Sequence, residues 1–279
     1  MNNIIAYFNI IRPLNVIVGS ITILVSSLIA KYNGPINVVI FAALVVTLYT
    51  VGANTLNDYF DYEIDKINRP DRAISSGLVL RTHALIISIL AFFLGTLIAL
   101  QLNINSQLVS ICISLPLIIG YNIKLKKFPL IGNIVVAIVL ALSFIYAGLA
   151  FSNVSPLILP AALAFGLTLI RELVKDMADI IGDKSVGLKT FPIIFGEKKT
   201  IILCVVLSVL LGIGAFIPFI TGHYNICYGI SLILTVEIPL GVVVISVINK
   251  TSIETAKRSA NLLKFCTIGG LFSIYIGTI

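Results

Sequence analysis

Apolar stretches of membrane-crossing length recur along nearly the whole chain, separated by short polar interruptions. A spanning helix needs roughly 20 predominantly apolar residues. Nine stretches approach that length, at about 14–30, 36–56, 82–101, 106–121, 130–151, 155–171, 200–220, 226–248 and 261–279. The pattern predicts an all-α fold, a polytopic membrane bundle of nine transmembrane helices. Residues 1–279 are expected to form one membrane-embedded domain with no soluble module attached. The first stretch has a nearly uncharged leader and continues directly into a second span, so it is expected to be a span and not a cleaved signal.

Two of the polar interruptions are long, about 57–81 and 172–199, and they open on the same pattern, D-x-x-D-x-x-x-D-K. Asp58, Asp61, Asp65 and Lys66 form the first copy; Asp176, Asp179, Asp183 and Lys184 form the second. Only 11% of residues are charged, so six carboxylates in matched positions are not background. On a helix advancing about 100° per residue, positions i, i+3 and i+7 fall within a roughly 60° arc. Each copy therefore predicts a stripe of three carboxylates, with Glu63 off the stripe and solvated. Two facing stripes would repel unless divalent cations lay between them. Mg²⁺, held by a few carboxylates and by substrate phosphate oxygens, fits best. That chemistry points to an enzyme handling a diphosphate.

Around the stripes, Asn57 stands four residues before Asp61 and eight before Asp65, one continuous row on a helix surface. Lys175 holds the corresponding place in the second copy and suits a phosphate oxygen, not a metal. Arg69, Arg72, Lys124, Lys126, Arg171 and Lys189 are placed to neutralise phosphate charge, the arginines bidentately. Asn68 and Pro70 predict a helix stop after the first stripe; Gly182, Gly187 and Pro192 predict one after the second. An internal duplication about an axis along the membrane normal accounts for two copies of like polarity, four spans apart.

Charge then sets orientation. With the N-terminus and every even-numbered loop on one side, that side holds 18 of the 19 Lys and Arg, Arg12 among them, and only Lys31 lies opposite. The positive-inside rule makes the crowded face cytoplasmic, so the active site is expected there and the C-terminus outside. Eleven of the twelve acidic residues share that face, Glu237 being the exception. The net charge of +7 thus reflects topology and a cationic rim around an anionic substrate, and no nucleic-acid partner is expected. The four cysteines are dispersed in apolar spans without metal or disulfide spacing. Glu237, an ionisable residue within a span, is a functional candidate. His83 and His223 are isolated and read as structural.

At this point the residues resemble a known family. Asn57, Asp58, Asp61 and Asp65, followed by Asn68, Arg69, Pro70, Asp71 and Arg72, resemble the first signature of the UbiA superfamily of intramembrane prenyltransferases. Arg171, Glu172, Lys175, Asp176, Asp179, Gly182, Asp183 and Lys184 resemble its second. Tyr121, Asn122 and Lys124, with Gly132 and Asn133, are similar to its basic loop between spans 4 and 5. One departure is Ala73, where the family's first signature often has Pro, a change expected to loosen a turn. The second signature and the compact length are most similar to the branch making archaeal ether lipids. That resemblance implies Mg²⁺-dependent transfer of a geranylgeranyl group from its diphosphate to geranylgeranylglyceryl phosphate. Residues and resemblance together give Asn57, Asp61, Asp179 and Asp183 as metal ligands and Asp58, Asp65 and Asp176 as catalytic carboxylates. Arg69, Arg72, Tyr121, Lys124, Lys126, Arg171 and Lys175 are the expected substrate-binding set. The implied partners are an isoprenoid diphosphate donor, a lipid-phosphate acceptor and membrane lipids.

Three alternatives compete. An aromatic quinone precursor, or a haem precursor, is also an acceptor compatible with the same donor motifs. An ion-coupled transporter would also use paired acidic motifs, but transport sites lie near the midplane, and here only Glu237 is deep. A CDP-alcohol phosphotransferase needs a Gly directly after the second Asp of its motif, where this chain has Tyr62 or Ile180.

Overall fold

The computed structural model describes residues 3–250 and 252–278, which form helices and no strand. In chain order these are α1 (Asn3–Ile10), α2 (Pro13–Ile29), α3 (Ile36–Phe60), α4 (Tyr62–Asn68), α5 (Arg81–Ala99), α6 (Ile104–Ile123) and α7 (Ile131–Ala150). They continue with α8 (Ser155–Ser185), α9 (Phe191–Phe195), α10 (Glu197–Ile220), α11 (Ile226–Asn249) and α12 (Ile253–Thr278). Among the described residues, eight helices are long and apolar enough to cross a bilayer. The pair Ile4–Ile10 and Pro13–Ile29, bent by 48°, makes a ninth if it crosses as one span. Large apolar side chains such as Leu90, Phe93, Leu94 and Leu97 of α5 stand exposed, which suits lipid and not water. The protein is a multi-pass membrane protein.

The sequence-read spans differ from the helices chiefly at the polar ends of two of them. α8 runs on to Ser185 and α12 starts at Ile253, well beyond the apolar limits at 171 and 261. Hydropathy marks where the lipid stops, whereas a helix continues as long as its backbone bonds do. Gly182 was expected to stop α8 and does not; the helix passes through it and ends before Gly187, whose φ of +73° suits glycine. The stop expected near Asn68 is present. α6 and α11 each contain a π-turn, Leu108–Ser114 and Ile233–Glu237, just upstream of Pro116 and Pro239. A proline lacks an N–H and crowds the carbonyl four residues back, and the wider turn accommodates both effects.

Two compact units divide the described residues. The first runs to Lys126 and adds Leu142–Leu157 and Ile181–Gly187; the second contains Lys127–Ala141, Ile158–Ile180 and the residues from Leu188 on. Within the first, α3 and α5 approach closely through reciprocal glycine–aromatic contacts. A Cβ on Gly52 would meet the Phe92 ring at 2.5 Å, and one on Gly95 would meet Tyr49 at 2.8 Å. Small residues at such crossings, with hydroxyl bonds such as Ser88 Oγ to Gly52 O (3.0 Å) and Tyr49 Oη to Thr96 Oγ1 (3.0 Å), hold helices together where lipid offers no hydrophobic drive. This packing fixes the C-terminal end of α3, where the first aspartate motif begins. Ala6 and Ile10 of α1 pack on Ala73, Ile74, Val79 and Ala84, and Tyr7 hydrogen-bonds His83. Ala73, at the variant position of the signature, is thus buried under α1, and the turn there is closed by Val79 N–H donating to Ala73 O at 2.9 Å.

Candidate active site

The first stripe is not one continuous helix. α3 ends at Phe60, Asp61 forms the joint with φ −87° and ψ 9°, and α4 begins at Tyr62. The i to i−4 bonds survive across the joint, from Asp61 N to Asn57 O (2.8 Å) and from Asp65 N to Asp61 O (2.7 Å), so the Asn57–Asp61–Asp65 row is kept. Its members separate into two environments. Asp61, partly exposed, accepts from Asn57 Nδ2 at 2.7 Å and pairs with Lys126; Asn57 Nδ2 also donates to Asn122 Oδ1 at 3.3 Å. Asp58 and Asp65 are buried among arginines. Arg72 Nη1 lies 2.5 Å from Asp65 Oδ2 and 3.3 Å from Asp58 Oδ1, Arg69 lies 3.6 Å from Asp65, and Arg12 pairs with Asp58. Burial pushes the Asp65 carboxyl above the usual carboxylate range, against the opposing pull of Arg72. Glu63 is exposed and pairs with Lys66 at 3.1 Å.

The end of the second motif reaches the first within the same unit. Gly182 N–H donates to Asn68 Oδ1 at 3.0 Å, and a Cβ on Gly182 would overlap the Asn68 side chain. Glycine is needed at 182 for this approach, and the contact brings Asp183, buried next door, to the end of the first motif. Asp179 is also buried. In the second unit, Asn133 Nδ2 donates to Asp176 Oδ2 at 2.8 Å. There Glu172, 4% exposed, accepts from both Arg171 (2.7 Å) and Lys175 (3.0 Å). Two of the expected substrate cations are therefore spaced by a shared carboxylate. Lys124 and Lys189 are exposed, whereas Lys126 turns onto Asp61. Tyr121 is half-buried near the end of α6.

Four polar residues join these networks without having been placed among the expected site residues: Arg12, Asn122, Asn133 and Glu172. Glu172 is one residue from Arg171 and three from Lys175, a spacing that foretold their pairing. Arg12 carried a different signal, as the single charge among the first 30 residues. Glu237 lies at the π-turn of α11 in the second unit, 2.8 Å from where a Gly212 Cβ would stand. Its buried Oε1 has no hydrogen-bond partner among the described residues.

Residues 20–265 match the UbiA prenyltransferase family. The chain belongs to that family. Digeranylgeranylglyceryl phosphate synthase of Pyrococcus furiosus is 36% identical over 274 residues, covering 98% of this chain and 97% of that one. Among solved structures, one described as giving structural and mechanistic insights into digeranylgeranylglyceryl phosphate synthase in membranes aligns with a TM-score of 0.77 at 29% identity. It covers 100% of this chain and 99% of its own. A UbiA homologue from Archaeoglobus fulgidus bound to DMAPP and Mg²⁺ shares the fold, with a TM-score of 0.61 at 17% identity and coverage of 96% and 98%.

Proposed function

We propose that this UbiA-family prenyltransferase, residues 1–279 forming one membrane-embedded domain, transfers a geranylgeranyl group from its diphosphate to geranylgeranylglyceryl phosphate. The observation that carries the reading is the pairing of full-length similarity to synthases of that name with carboxylates and cations gathered at the ends of α3 and α8. Among the described residues, no three His, Cys, Asp or Glu side chains form a closed cage for a metal. Mg²⁺ does not require one, since it takes one or two carboxylates and completes its shell with water and substrate phosphate. The hard oxygens of Asn57, Asp61, Asp179 and Asp183 suit it, and a fold relative binds Mg²⁺ with DMAPP. When bound, the ion would neutralise the charge of the leaving diphosphate.

The chain's own residues do the rest. Lys126, Arg171 and Lys175, with Arg69, Tyr121 and Lys124 at the rim, complete the neutralisation that lets the donor C1–O bond break, its electron pair leaving with diphosphate. The acceptor's glycerol oxygen bonds to C1, and its proton passes to the departing diphosphate. Asp58 and Asp65, locked to guanidiniums, orient the loop that carries Arg69 and Arg72; in the second unit Asn133 orients Asp176. The apolar helices hold the isoprenoid chain and keep water from the developing cation. Purified protein with geranylgeranyl diphosphate and Mg²⁺ is expected to prenylate geranylgeranylglyceryl phosphate and leave hydroxybenzoate unmodified. Efficient turnover of the aromatic acid would defeat the acceptor assignment.

We also propose that the N-terminus and the active site face the cytoplasm and the C-terminus lies outside, on the strength of the 18-to-1 charge split. Single cysteines introduced at 66–80 and 184–198, in a background without native cysteines, should react with an impermeant thiol reagent only from the cytoplasmic side. Labelling of both segments from outside would reverse the topology.

A further inference from the structure

We propose that Arg12 reads the phosphate of the acceptor lipid. The inference rests on the transferase reading above and assigns a residue to one substrate within it. Arg12 stands at the break between α1 and α2 with φ 53° and ψ 71°, a left-handed conformation rare for a residue other than glycine. A cation needed only for topology extends its flexible stem outward to the headgroups. Arg12 instead turns onto Asn57 Oδ1, at 3.2 Å, and onto Asp58.

Asp58 does not depend on it. Arg72 contacts the same carboxylate oxygen at 3.3 Å, so Arg12 can pass to an arriving anion without leaving a buried charge unpaired. Arg72 lacks that freedom, being held at 2.5 Å by Asp65. The position also separates the two substrates. Lys126 pairs with Asp61, whereas Arg12 pairs with Asp58, about 60° round the helix, and reaches Asn57 as well. A donor diphosphate drawn to Asp61 and Lys126 leaves the Asp58 side of Arg12 for a second phosphate.

Depth fits as well. α1 buries Ala6 and Ile10 and exposes the apolar Ile4, Ile5 and Phe8. Those exposed apolar side chains suit lipid contact, and Arg12 stands two residues past the end of that helix, close to where a lipid phosphate would arrive. The planar guanidinium then offers two parallel donors to that phosphate.

The test is equilibrium binding to purified full-length protein in Mg²⁺, for wild type, Arg12→Ala and Arg12→Lys. Three ligands are titrated separately: geranylgeranylglyceryl phosphate, geranylgeranylglycerol without the phosphate, and geranylgeranyl diphosphate. Arg12→Ala is expected to weaken the phosphorylated acceptor about 10- to 150-fold, the range for losing a hydrogen bond to a charged group. Binding of the phosphate-free acceptor and of the donor should not change. Arg12→Lys keeps the charge but loses the fork, and should show a smaller loss confined to the same ligand; it carries the test if the alanine variant does not fold. Equal losses for donor and acceptor would mean that Arg12 only holds Asp58, and would overturn the proposal. So would unchanged acceptor binding in both variants. A wild-type protein that binds the donor but not the phosphorylated acceptor brings down the acceptor assignment itself, a result distinct from either.

Discussion

Asp61→Asn and Asp183→Asn are each expected to lower prenyl transfer at least ~100-fold, the lower end of what losing one charge-stabilising group costs in catalysis. Each change removes one negative charge and alters almost no volume, so packing is not the cause of the loss. The two residues belong to different motifs but to the same compact unit, where the Gly182–Asn68 bond joins the motif ends. Asp61→Asn leaves an amide oxygen that Asn57 and Lys126 can still donate to, so its loss of activity should exceed any loss of stability. Chelation should abolish transfer and added Mg²⁺ should restore it in the wild type. In the variants, restoration should require more Mg²⁺, because a ligand has been weakened. Near-normal transfer by both variants after chelation would sink the metal assignment.

The legible part of this protein was its one-dimensional physics. Lipid-length apolar runs gave the spans because a bilayer forces backbone groups to bond within each helix. The aspartate repeat pointed to the candidate site because charges are scarce in such a chain. What sequence reading missed depended on contacts between distant segments. Gly182 looked like a helix stop, since a glycine after an aspartate stripe reads as punctuation; its use is steric, clearing room for Asn68, 114 residues away in the chain. The three carboxylates of the first stripe looked equivalent by periodicity. The joint at Asp61 and the loop carrying Arg72 make them unequal, one partly open and two buried among guanidiniums. Arg12 was read as a topological charge because 46 residues separate it from Asp58. Ala73 looked like a loosened turn, and its small side chain proves to be what α1 packs upon.

Arg72→Ala is expected to destabilise the folded protein by about 3–5 kcal/mol, the cost of breaking a buried ion pair by removing one partner. Arg72 holds two carboxylates at once. Asp58 and Asp65 are 5% and 2% exposed, and they are joined through its Nη1 at 3.3 and 2.5 Å. Arg12 remains on Asp58 after the change, so the burden falls on Asp65, whose nearest other cation in the unit, Arg69, stands at 3.6 Å. Arg72→Lys should recover only part of the loss, because one ammonium on a flexible stem replaces a fixed planar fork. The decisive variant is the double change Arg72→Ala with Asp65→Asn. Replacing both members of a buried pair is far less costly than orphaning one, so the double variant should be more stable than Arg72→Ala alone. Thermal unfolding of the four proteins in one detergent reads this directly. A single variant as stable as wild type, or a double variant no better than the single, would show that Arg72 contributes little to holding the first motif in place.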